Sequence, residues 1–139
     1  MTSMPPESGI ASVGHAIQLS LTPVFLLLGI GSMLSVMTNR LARVVDRAIR
    51  TERELDQVTP EQLPLSHASL ATLSRRAKLI NRAILFCTIT ALLICAVVAM
   101  LFIGGFLKFD ASLTVAILFV TAMASFFTGL LFFLREIFV

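Results

Sequence analysis

The sequence predicts an all-α integral membrane protein of three transmembrane helices, the first two extending into a cytoplasmic antiparallel helical hairpin. Three observations lead to that class. The chain of 139 residues is 57% apolar, lacks Trp and Tyr, and has a mean hydropathy of +0.93, well above an ordinary soluble domain. Three stretches, residues 16–38, 83–107 and 111–134, are free of Asp, Glu, Lys, Arg and His, and each reaches the roughly 20 residues that span a hydrocarbon core of about 30 Å. The cations are placed unevenly. Nine of them, from Arg40 to Arg82, fall between the first and second stretches, against Lys108 alone between the second and third. By the positive-inside rule the first connection is cytoplasmic, the N-terminus and the Lys108–Asp110 turn are outside, and Arg135 and Glu136 are inside. The expected location is a membrane, crossed several times.

Taken in order, residues 1–9, with Pro5, Pro6 and Gly9, read as a disordered lead, and residues 10–139 as a single membrane domain. The lead has no Lys or Arg, unlike the charged start of a cleavable signal peptide, so the first span is expected to persist as a transmembrane helix. A helix starting at Pro23 would have only about fifteen residues before Asn39, too few to span, so helix is expected on both sides of Pro23 with a kink there. From Asn39 to Asp56 there is no Gly or Pro. Leu41, Val44, Val45, Ala48 and Leu55 form an apolar stripe, and Arg40, Arg43, Arg47 and Arg50 a cationic one, at helical spacing. Asp46 is in reach of Arg43 and Arg50, and Arg50 of Glu54. The helix therefore continues into the cytoplasm until Pro60 and Pro64 forbid regular continuation, with the turn at about 57–65.

Ser66 to Arg82 again reads as amphipathic, with Leu70, Leu73, Ala77 and Ile80 opposite Arg75, Lys78 and Arg82. The outbound and inbound segments are each about 25 to 27 Å long at 1.5 Å per residue. Equal arms predict a hairpin over residues 39–82 zipped by the apolar stripes. The second span carries a small residue at every fourth position, Ala83, Cys87, Ala91, Cys95 and Ala99, which reads as a packing face. Its two cysteines sit about 12 Å apart along the axis, too far to bridge each other. Gly104-Gly105 and Asp110-Ala111-Ser112 mark a tight outer turn. In the third span Thr114, Thr121, Ser125, Thr128 and Gly129 lie on one arc, matched in the first by Gly31, Ser35, Thr38 and Asn39.

The stretches TPVFLLLGIGSMLSVMTNRLARVVDR, RRAKLINRAI and FLREI make the chain resemble the bacterial membrane proteins grouped as the domain of unknown function 2721 family, from about Ile17 to Ile137. The resemblance implies a bacterial membrane protein of three helices. It brings no activity and no catalytic residues.

Each candidate site has a plainer alternative. Arg40, Arg43, Arg47, Arg50, Arg75, Lys78 and Arg82 are placed to contact anionic phospholipid headgroups on the cytoplasmic side; the plainer role is a topology determinant, some members snorkelling and the rest solvated. Nucleic acid is not an expected partner, because Asp46, Glu52, Glu54, Asp56 and Glu61 interrupt the patch and no aromatics interleave it. Asn39-Arg40 and Asn81-Arg82 form either a polar ring at a pore mouth or hydrogen bonds between two helices. The arc residues Gly31, Ser35, Thr38, Asn39, Thr121, Ser125 and Thr128 line a polar path or pack helices together. His15 and His67 stand alone, and no nucleophile with a base, metal cluster or phosphate-cradling glycine loop can be assembled. The expectation is a protein that is not an enzyme, with no cofactor, metal or catalytic residue. Two functions remain in view: a homo-oligomer whose helices surround an ion or small-solute pathway, and a non-conducting scaffold or accessory subunit whose hairpin docks an unknown protein partner.

Overall fold

The structure, a computed structural model, describes residues 7–107 and 110–139. These form three helices, α1 (Glu7–Leu55), α2 (Leu63–Leu107) and α3 (Ser112–Phe138), with no strand among the described residues. Each contains a window long and apolar enough to cross a membrane. Most of the lead expected to be irregular, up to Pro6, lies outside the described residues, whereas Glu7, Ser8 and Gly9 belong to α1.

At 49 residues, α1 is about 74 Å long, more than twice a hydrocarbon core. It passes without interruption through Pro23, which is buried, and through the junction at Asn39. Pro23 has no N–H to give the carbonyl of Leu19. One residue on, the Ser20 hydroxyl donates to the carbonyl of Ala16 at 2.9 Å, tightening the same turn.

The connection between α1 and α2 is shorter than expected. It spans residues 56–62 and is closed by Gln57 N–H to Glu54 O and Gln62 N–H to Thr59 O, both 3.0 Å. Pro64 does not hold the helix off; it stands in the first turn of α2, where a backbone N–H would have no helical acceptor in any case. Gly104 and Gly105 likewise remain within α2 and do not make the turn. Lys108 and Phe109, at the centre of that expected turn, lie outside the described residues. Asp110 is exposed, and Ala111 precedes α3 without a side-chain cap.

α2 packs against both α1 and α3, which barely meet each other. The buried positions follow a rule that the small-residue row does not. In α2 they include Ile80, Ala83, Cys87, Thr90, Ile94 and Val97, alternating steps of three and four. In α1 Pro23, Ile30 and Met37, and in α3 Ala122, Gly129 and Glu136, recur every seven residues. This is the 3.5-residue repeat by which long helices keep one seam against a neighbour. A strict every-fourth row turns about 40° around the helix at each step. It therefore leaves the seam: Ala83 and Cys87 are buried, Ala91 is half-buried, and Cys95 and Ala99 are exposed.

Two contacts fix the register. The Sγ of Cys87 lies 3.9 Å from the Sδ of Met37. Gly129 backs onto α2 so closely that a Cβ there would meet Phe86 Cβ at 3.2 Å and Ala83 O at 3.4 Å. Beside it, Ser125 donates to the carbonyl of Phe86 at 3.2 Å, and the rings of Phe86 and Phe132 stack 5.5 Å apart. Towards the α1–α2 connection, Leu41 and Val44 pack against this core. Ala48, Leu55, Leu70, Leu73 and Ala77 are half-buried, and Val45 is exposed.

Candidate functional site

The two polar arcs do not meet. Gly31, Ser35, Thr38 and Asn39 are exposed on α1, and a Cβ added at Gly31 would touch nothing within 4 Å. In α3 the arc divides. Ser125 and Gly129 face α2, whereas Thr121 and Thr114 are exposed. Thr38, Thr121 and Thr128 each donate to the carbonyl one turn earlier, Leu34, Ile117 and Ala124, at 2.7 to 2.8 Å. With their protons so engaged, these hydroxyls present acceptor lone pairs outward. Among the described residues of one chain no polar path is assembled.

The cationic residues separate into three settings. Arg75, Lys78 and Arg82 are exposed on α2. Arg43, Arg47 and Arg50 line, with Asp46, a shallow groove of about 350 Å³. Arg47 also lines a second groove, of about 670 Å³, between α1 and α2 near their connection; its walls include Thr51, Glu54, Ser69, Thr72 and Arg76. The local ion pairs expected of Asp46 and of Glu54 do not form. Among the described residues the one pair within 4 Å joins Arg40 to Glu136. Exposed pairs on one helix gain little over solvation, so their side chains stay in water.

Arg40 does something the sequence reading did not foresee. Its Nε lies 3.5 Å from Oε2 of Glu136, and its guanidinium carbon sits 5.4 Å from the centre of the Phe133 ring. Glu136 is 1% exposed and Arg40 39%. The separation is that of an ion pair and not of a hydrogen bond, and Glu136 Oε2 has no hydrogen-bond donor. The pair links α1 to α3 across the end of α2's seam. The bonding expected between Asn39-Arg40 and Asn81-Arg82 is not formed, because Asn39, Asn81 and Arg82 are exposed and Arg40 turns to α3. Two residues in these settings escaped the sequence reading. Glu136 had a signal, standing seven residues after Gly129 and fourteen after Ala122 on one seam. Arg76, whose Nε is buried with no hydrogen-bond partner, had none that separates it from Arg75.

Among the described residues no three His, Cys, Asp or Glu side chains gather as metal ligands would. No curated protein and no solved structure matches the chain. The family model described as "Protein of unknown function (DUF2721)" matches residues 20–139, from the first third of α1 onward, so that the Asn39 junction, the α2 seam and the Glu136 turn all fall within it, and the chain belongs to that family.

Proposed function

We propose that this chain is a bacterial inner-membrane protein that assembles with copies of itself around an axis, in a conducting or structural role and not a catalytic one. In this reading the apolar windows of α1, α2 and α3 cross the bilayer with the N-terminus outside. The arms of α1 and α2 beyond Asn39 and Arg82 form an antiparallel cytoplasmic hairpin, and the arginines at their base contact anionic headgroups.

The observation that carries the reading is the exposed arc of Gly31, Ser35, Thr38 and Asn39. Gly129 illustrates what a glycine in such an arc permits, a neighbouring helix at 3.2 to 3.4 Å from where its Cβ would stand. Gly31 offers the same recess with nothing in it. Lipid tails cannot satisfy Ser35, whereas a second copy, or water along a shared axis, can. The arc is thus suited to line an ion or small-solute pathway between protomers.

The test is native mass spectrometry of protein released from lipid nanodiscs, followed by ion flux in liposomes. A ring of about four or more copies, with flux lost when Ser35 and Thr38 are both replaced by Leu, supports the proposal. A monomer, or flux equal in that variant, overturns the pathway. The exposed Val45 and Ile49 on the arm of α1 favour a second reading, a scaffold that docks a protein partner there. Its signature in the same spectrum is a stoichiometric foreign subunit that Val45→Glu removes.

A further inference from the structure

We propose that the groove between the arms of α1 and α2 binds a phosphate-bearing anion, held by the guanidinium groups of Arg47 and Arg76. The site goes beyond the assembly proposed above and does not depend on it.

Two arginines, one from each helix, line this one groove of about 670 Å³. Like charges sharing a cleft repel one another unless something of opposite sign lies between them. Glu54 lines the groove too, but neither arginine has a carboxylate within 4 Å, since the pair formed by Arg40 and Glu136 is the one such contact among the described residues. The cleft is therefore left with two cations, neither of them paired, against one carboxylate.

Arg76 is the more desolvated of the two arginines. Its Nε is shut off from solvent and has no acceptor in the protein. A buried guanidinium N–H without a partner is uncommon, because the donor has lost water and gained nothing. No hydroxyl on the walls accepts from it. Thr51 donates to Arg47 O, Ser69 to Leu65 O and Thr72 to Ala68 O, at 3.0 to 3.1 Å. With those protons committed to backbone, the terminal guanidinium nitrogens and the side-chain amide of Gln62 are the donors that remain for a ligand in the groove.

A phosphate group suits that arrangement. Its oxygens accept several charge-assisted hydrogen bonds at once and match the planar fork of arginine. The surplus of one positive charge fits a single phosphate better than a polyphosphate or a nucleic-acid strand. Arg47 lies seven residues beyond Arg40, about 10 Å along the helix. That is the outer edge of a headgroup layer if Arg40 marks the bilayer surface, so the phosphate is either that of a lipid or that of a soluble monoester.

The experiment uses the full chain in nanodiscs and has two arms. In the first, glycerol 3-phosphate is titrated calorimetrically into protein held in pure phosphatidylcholine. In the second, lipid retained by protein from discs containing phosphatidic acid is read by native mass spectrometry. The proposal expects saturable uptake of one phosphate per protomer in at least one arm. Arg47→Gln and Arg76→Gln should each weaken it about tenfold, and Arg53→Gln, which removes the same charge from an exposed position outside the groove, should leave it unchanged. Uptake in the first arm identifies a soluble phosphate, and uptake in the second alone a lipid headgroup. Arg47 is exposed, so its variant keeps the test sharp even where Arg76→Gln disturbs folding. No uptake in either arm overturns the proposal. So does a loss on Arg53→Gln equal to that on Arg47→Gln, which would mean diffuse charge and no site.

Discussion

Replacing Arg40 by Gln should destabilise this protein far more than replacing Glu136 by Gln, although both remove the same ion pair. The asymmetry follows from burial. Glu136 is 1% exposed and its Oε2 has no hydrogen-bond donor. Without Arg40 its carboxylate is an uncompensated charge at the end of the α2 seam, a situation that costs about 3–5 kcal/mol. Arg40 is itself 39% exposed, so solvent already screens part of the attraction, and the low end, about 3 kcal/mol, is expected. In Glu136→Gln the buried group becomes a neutral amide of nearly the same shape. Arg40 then keeps its place over Phe133 or extends its head to water, and a change of about 1 kcal/mol or less, of either sign, is expected. Reversible unfolding in mixed micelles, followed by far-UV circular dichroism in a double-mutant cycle, measures both. The expected difference of about 2 kcal/mol is roughly thirtyfold in the unfolding equilibrium. Equal losses from the two variants, or Arg40→Gln as stable as the parent, would refute the reasoning from burial.

Two further outcomes follow from the seam. Gly129→Val should lower unfolding stability in the same assay by about 1–3 kcal/mol, because its first carbon alone meets Phe86 Cβ at 3.2 Å and the carbonyl of Ala83 at 3.4 Å, neither of which can swing away; a variant as stable as the parent would mean that α3 does not approach α2 this closely. Cys95 is exposed on the protein and Cys87 buried, yet the proposed bilayer covers both. A water-soluble maleimide should leave intact proteoliposomes unlabelled and modify both thiols after unfolding in SDS, and prompt labelling of Cys95 in sealed vesicles would count against the membrane placement of α2.

How far the fold was legible differs from helix to helix. Three helices with membrane-length apolar windows could be read directly, because 23 to 25 residues without an ionisable group have few alternatives to helix. The Asn39 junction was legible for the same reason: between Thr38 and Asp56 nothing in the sequence stops a helix. Boundaries were less so. Pro64 reads as a breaker, but a proline in the first turn gives up a hydrogen bond the helix would not have made. The packing face was half read, since Ala83 and Cys87 obey both an every-fourth and a three-and-four rule, and only the rotation of about 40° per step distinguishes them further along. The local ion pairs were over-read, as spacing alone says nothing of competition with water. The Glu136 site went unread because a carboxylate beside Arg135, just past the last apolar stretch, looks solvated; the seven-residue recurrence of Ala122, Gly129 and Glu136 carries the opposite message. The groove is a product of two helices, and no pattern within either arm reveals it.

The gaps left between the helices change character along the molecule, and the change gives the proposed membrane placement a physical sense. At the end where α1 begins and α2 finishes, two grooves of about 600 and 700 Å³ are walled largely by apolar side chains, among them Ile17, Leu19, Leu101, Phe102 and Phe106. Water would not be kept in such clefts without cost, whereas acyl chains or the helices of another copy fill them at no penalty. At the opposite end the groove of Arg47, Glu54 and Arg76 is polar, the setting that water and ions favour. The two regimes are separated by the tightest part of the structure, the Met37–Cys87 contact, the Gly129 approach and the Arg40–Glu136 pair. A chain this thin, with its middle helix covered on two sides only, has little core to hold it together in water. In the proposed placement it is coherent as a solute of two solvents at once, closed where they meet and open to each where it enters them.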